Sequence, residues 1–214
     1  MTQTSNCVFC DEIAGHPRSV WNDLRGTLPT DRALYQSPFW LAMPPLGCFV
    51  PGGLLLLLRR HARSCAGLED AEAQELDGLV DQVANLGESL FGAPMIFFEH
   101  GPGCNGSKGA CCVDHAHVNV FPANIDIWKH IPHFDNGVKV ESARDLAEFR
   151  GGEYLWIRDG SGRSEAYAVE GVPSQYIRSQ ITKAMGIPER WHWRDYLGLS
   201  EIRETLALYS ANWP

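Results

Sequence analysis

The stretch Asp114 to Pro122, DHAHVNVFP, constrains this chain more than any other. Successive side chains of an extended strand point to opposite faces, so His115, His117 and Asn119 are expected on one face and Ala116, Val118 and Val120 on the other. One face suits a core, and the other carries two of the chain's eight histidines and an amide. Alternation of this kind also fits an ordinary polar surface strand, so the residues around it have to decide what the face does.

Those residues lie far off in sequence. Cys7-Val-Phe-Cys10 has the knuckle spacing of a zinc site. The same spacing fits two incidental buried thiols equally well. Tetrahedral zinc needs two further ligands, and His61 and His115, each at the end of an expected strand, are placed to supply them. The seven cysteines are odd in number and are not distributed like a disulfide framework. The N-terminus has no apolar segment of signal-peptide length, and the longest apolar run, Leu54 to Leu58, is too short to span a bilayer. A cytoplasmic location with no membrane partner is the expectation. The formal charge of −8 argues against duplex nucleic acid as a partner, because that needs clustered Lys and Arg, but it leaves room for a small phosphate ligand.

Periodicity fills in the elements. Glu69 to Phe91 reads as an amphipathic helix, with Leu76, Leu79, Val80, Val83, Leu86 and Leu90 on one stripe and Gly92-Ala93-Pro94 ending it. Ala33 to Met43 reads as a strand interrupted at Pro38, and Leu54 to Leu58, Met95 to Phe98 and Val113 to Phe121 as further strands. Tyr154 to Ile157 and Ala166 to Val169 read as a hairpin around Asp159-Gly-Ser-Gly162. Ser174 to Met185, capped by Ser174, and Ser200 to Tyr209 read as helices. At 214 residues the chain can bury a full core.

The order of Cys7-Val-Phe-Cys10 with Ile13-Ala-Gly15, Pro51-Gly52 and an apolar run before His61, a long helix, the Gly-rich loop Gly101 to Gly109, and His115-Ala-His117-Val-Asn119 resembles the histidine triad (HIT) superfamily, in its zinc-containing branch. The resemblance covers about residues 7 to 122. It implies an α+β fold, an antiparallel sheet of about five strands with helices. Residues 1–125 would form a HIT-like nucleotide-binding domain, and 126–214 an extension of small strands and helices packed on it. It implies a structural zinc on Cys7, Cys10, His61 and His115, and His117 as the nucleophile. The implied activity is hydrolysis or nucleotidyl transfer at a nucleoside α-phosphate through a covalent nucleotidyl-histidine. The substrate would be a nucleotide or nucleotide conjugate, and such domains pair as homodimers.

The chain departs from the pattern in three places. Asn119 stands where hydrolases carry the third histidine; the uridylyltransferase and dinucleotide phosphorylase branches place glutamine there. An amide keeps a donor for a phosphate oxygen but cannot shuttle a proton. Ala110-Cys111-Cys112 replaces a Gly-Gln-Ser type segment, so Cys112 stands in for a serine that bonds the leaving group. Glu99-His100-Gly101 occupies a place where asparagine is common. Lys108, in the Gly-rich loop, would add positive charge near the phosphates. His100, beside the expected pocket, is a candidate acid or ribose contact as readily as a solvated loop histidine. Gln175 and Arg178, in a Pro-Ser-Gln-x-x-Arg segment similar to ones in extensions of HIT-like proteins, are candidates to face the phosphates, against the alternative of a capped surface helix. Trp191-His-Trp193 reads as packing, His130 and His133 as surface loop, and Cys48 and Cys65 as small core residues. The departures also fit a nucleotide-binding module without turnover, or a HIT fold repurposed for other chemistry in a specialised pathway.

Overall fold

The computed structural model describes residues 7–17, 19–103, 113–131, 134 and 136–213. Lys108, Cys104, Cys111, Cys112 and His133 lie outside them. In chain order the elements are α1 (Val8–Ile13), α2 (Val20–Leu24), β1 (Tyr35–Gln36), β2 (Trp40–Met43), β3 (Leu54–Leu58), α3 (Asp70–Phe91), β4 (Met95–Gly101), β5 (His117–Pro122), β6 (Val138–Lys139), β7 (Tyr154–Arg158), β8 (Ser164–Ala168), α4 (Tyr176–Ala184) and α5 (Leu199–Asn212). The class is α+β. The sheet has eight strands rather than about five, in the order β1-β2-β3-β5-β4-β7-β8-β6, with antiparallel neighbours throughout. Strands β1 to β5 come from the part of the chain before residue 125. The hairpin β7–β8 and the short β6 extend the same sheet beyond β4. The outer strands, β1 and β6, are two residues long each, which leaves little edge for a foreign strand to pair with.

The sheet is covered on both faces, and this explains the unbroken leucine run of β3. Leu54, Leu56 and Leu58 pack with Phe97, Val118 and Val120 against Leu76, Leu79, Val80 and Val83 of α3. Leu57 points the other way, to Leu41, Met43, Phe9 and Ile13. A strand buried on both faces gains nothing from polar alternation. Each fully buried leucine contributes roughly 2 kcal/mol relative to exposure. Helix α3 starts on a capping box, Glu69 with Glu72, and stops at Gly92, whose φ of 66° is left-handed. On the opposite face, Ile96, Phe98, Phe121, Leu155 and Ile157 pack on Ile177 and Ile181 of α4 and Ile202 of α5. The C-terminal helices therefore cover the face on which His117 and Asn119 lie. No helix of the described residues is long and apolar enough to cross a membrane.

Candidate functional site

Strand β5 begins at His117, and His115 sits in the bend just before it. That bend separates the two histidines by task. His115 is 1% exposed, and its ring turns to a cluster in which one ligand atom each of Cys7, Cys10, His61 and His115 lies within 4.8 Å of every other. Cys7 Sγ is 3.2 Å from His115 Nδ1, Cys10 Sγ is 3.4 Å from His61 Nδ1, and Cys10 Sγ is 3.6 Å from His115 Nδ1. A tetrahedral zinc with ordinary Zn–S and Zn–N bonds would set such S···N edges at roughly 3.6 Å. His115 Nε2 donates to the Leu58 carbonyl at 2.6 Å, which fixes the tautomer and leaves Nδ1 as the lone pair facing the thiols. Burial pushes this imidazole down to about 4, so it is neutral at physiological pH. Burial and the neighbouring Cys7 push the Cys10 thiol up to about 11. Two adjacent thiols resist joint ionisation unless a cation lies between them, and the donor set thus fits a divalent metal such as zinc.

His117 faces the other way, into a cleft that is open to solvent. Its Nδ1–H donates to the His115 carbonyl at 2.6 Å, leaving Nε2 as a lone pair. Burial, and the Arg178 charge, hold the ring below its ordinary value, while the His115 bond works in the opposite direction. Phe9, between the two cysteines, meets His115 and His117 edge-on, with ring centroids at 5.7 and 5.3 Å. The Cys/His cluster and the cleft histidine thus share one aromatic neighbour. Asn119 pairs across the sheet with Leu55 on one side and Phe98 on the other, and all three line the cleft.

The C-terminal segment builds the opposite wall. Ser174, Gln175, Tyr176, Ile177, Arg178 and Trp193 line the cleft. Ser174 does not cap α4; Gln175 takes the cap position with a left-handed φ of 60° and no side-chain cap bond. A non-glycine residue there bears backbone strain of about 1 kcal/mol or more. The Gln175 amide oxygen accepts from the Trp193 amide at 3.3 Å. Arg178 is buried, donates to the carbonyls of Gly47 and Trp191, and stacks over Phe49 and Phe121. Gly47 permits this: a Cβ there would lie 2.5 Å from Trp193 Cβ. The first turn of α4 and its guanidinium make this wall electropositive.

His100 also lines the cleft, held by Glu153, and His130 lies exposed as a surface residue. Cys48 and Cys65 are buried core residues. Trp193, Trp21, Arg32 and Phe9 also line the cleft, and no local signal marks them, because a tryptophan in a pocket wall has the same local pattern as one in a core. Arg32 forms a two-pronged pair with Glu12 at 2.7 and 2.8 Å and lies 4.2 Å over Trp21.

Behind β5, on the α3 face, Glu99 is 2% exposed and accepts from the amides of Cys65 and His117 and from the Tyr154 hydroxyl. Burial pushes its carboxyl up from 4.5 to about 7. An acid raised on folding adds stability in full below about 4.5, and that contribution is lost as pH rises through about 7. Replacing Glu99 by Gln removes this titration. The stability of Glu99→Gln minus that of wild type is expected to rise by about 3 kcal/mol between pH 4.5 and 8, read from urea melts with zinc saturating. A difference that stays flat across that range would show that the carboxyl does not titrate as the burial implies.

Neither a protein-family model nor a curated protein sequence matches this chain. Solved structures of HIT proteins do resemble it. A HIT family protein from Bacillus anthracis is 20% identical, over 57% of this chain and 76% of that one, with a TM-score of 0.43. A HIT family member from Bacillus subtilis is 19% identical, over 67% of this chain and 93% of that one, also at 0.43. A zinc-bound histidine triad protein from Mycobacterium smegmatis is 14% identical, over 67% and 88% of the two chains, at 0.41.

Proposed function

We propose that this chain is a zinc-containing HIT-type enzyme that cleaves or transfers at a nucleoside α-phosphate through a covalent nucleotidyl-His117. The observation that carries this reading is the His117 Nδ1–H held by the His115 carbonyl, which leaves a neutral Nε2 lone pair on a cleft wall opposite Arg178 and the start of α4. A neutral imidazole with its far nitrogen bonded is a competent nucleophile toward phosphorus. In the first half, Nε2 forms a bond to the α-phosphorus as the leaving group departs with its electron pair. Arg178 and Asn119 hold the nonbridging oxygens. In the second half an acceptor oxygen displaces Nε2. Phe9, Trp21 and Trp193 would take the base and ribose. Zinc on Cys7, Cys10, His61 and His115 would have no open position and would brace α1 and the bend before β5.

Residues 1–125 supply the nucleophile and metal in this reading, and 126–214 supply the phosphate wall. Asn119 favours phosphate-bearing leaving groups, which depart as stable anions, because an amide has no proton to give an amine. The test is a brief pulse of zinc-loaded protein with a nucleoside phosphoramidate, a dinucleoside polyphosphate and a nucleotide sugar, quenched in base because phosphohistidine is acid-labile. Mass spectrometry should find a nucleoside monophosphate added at His117. No adduct and no turnover with any of the three would overturn the proposal. If nucleotides still raise the melting temperature in that case, the protein is a binding module, the reading that the loss of a third histidine at Asn119 favours.

A further inference from the structure

The recorded β4–β5 pairs end at Phe98–Asn119, and beyond them His100 of β4 and His117 of β5 both line the cleft. The neighbouring strand on the other side of β4 delivers Glu153, one residue before β7. Its carboxylate accepts from His100 Nε2 at 3.0 Å and from the amides of Gly171 and Val172 at 2.9 and 3.1 Å. Those bonds fix the carboxylate and orient the ring. The His100 side chain is 10% exposed, and its Nδ1 has no hydrogen-bond partner among the described residues. A buried nitrogen left unpaired costs about 1–3 kcal/mol. A histidine kept only to latch β4 to β7 would need one nitrogen, and a glutamine would serve.

We propose that His100, oriented by Glu153, is the general base that activates the acceptor in the second half of the reaction, a step that rests on the covalent His117 reading. Water donates its proton to His100 Nδ1 as its oxygen bonds to the α-phosphorus. The phosphorus–Nε2 bond breaks, and its electron pair returns to His117. The nucleoside monophosphate leaves, and His100 passes its proton to solvent. This supplies the proton acceptor that Asn119 cannot be. Burial holds the His100 ring below its ordinary value against the pull of Glu153, which keeps it ready to accept.

His100→Gln tests this, because the glutamine amide keeps a donor for Glu153 and removes the accepting nitrogen. Rapid-quench mixing of zinc-loaded protein with diadenosine tetraphosphate separates the two halves. In His100→Gln the adduct should form within about threefold of the wild-type rate and decay roughly 10²–10⁴-fold more slowly, so it accumulates toward one per chain. The melting temperature should stay close to wild type. Decay at the wild-type rate overturns the base assignment while leaving the nucleophile in place. Absence of an adduct in wild type overturns the parent reading, and this one with it. Should His100→Gln fail to fold, His100→Asn gives the same readout, and decay at the wild-type rate there counts equally against the base.

Discussion

His117→Ala is expected to lower turnover by on the order of 10⁴-fold or more and to abolish the base-stable adduct, because no other group would take over covalent attack. Stability should change by no more than about 1–2 kcal/mol. The ring is only half-buried, its hydrogen bond runs to the carbonyl two residues back, and the tie lost between distant segments is one edge contact with Phe9. The strand is held instead by Val118 and Val120 in the core and by Glu99 on the His117 amide. Steady-state assays with the substrate that labels wild type, together with a thermal melt, check both halves of the expectation. Turnover retained within tenfold of wild type would move the nucleophile elsewhere in the cleft. A collapsed melting temperature would make His117 a structural residue.

The sequence announces the parts of this site that are governed by local rules. A strand flips its side chains at every residue, so Ala116, Val118 and Val120 could be assigned to the core. The cysteine spacing brings two sulfurs to one point, and His61 and His115 join them just outside β3 and β5. Helix α3 was legible because its caps and stripe are written within one segment. The hairpin β7–β8 was legible from its turn, but its place beside β4 was not, because strand pairing over such separations leaves no local trace. The parts of the cleft wall made by Trp21, Arg32 and Trp193 leave no local trace for the same reason. Trp193 reaches it through a contact with Gly47 that is far away in sequence. Gln175 in a left-handed cap position is a conformation that the sequence argues against, since Ser174 is the better cap. Arg178 was marked by its motif, but its burial among Phe49, Phe121 and two carbonyls emerges only once α4 is docked.

Removing the metal is the second large effect, and it should act on stability and on activity together. Helix α1 is six residues long with no buried residue, too short to persist alone. Phe9 and Ile13 pack it on Leu41, Met43 and Leu57, and Glu12 pairs with Arg32. The remaining ties run through Cys7 and Cys10 to two histidines more than fifty residues away. Chelation, or Cys10→Ala, is expected to lower the melting temperature by roughly 10 °C, corresponding to about 3–5 kcal/mol for a chain of this size. The main core on α3 is built from side chains outside the cluster and meets it at the His115 bond to the Leu58 carbonyl, so the protein should still fold. Because Val8, Phe9 and Glu12 line the cleft and Phe9 rests against His117, loosening α1 should also slow adduct formation. The thiols must lose protons to bind, so metal affinity should fall as pH drops below neutrality, read by competition with a chromogenic chelator. Elemental analysis should give one zinc per chain in the wild type and none in Cys10→Ala. A wild type that keeps its melting temperature and adduct rate after complete chelation would reduce the four residues to a cluster of convenience and remove the brace from beneath His117.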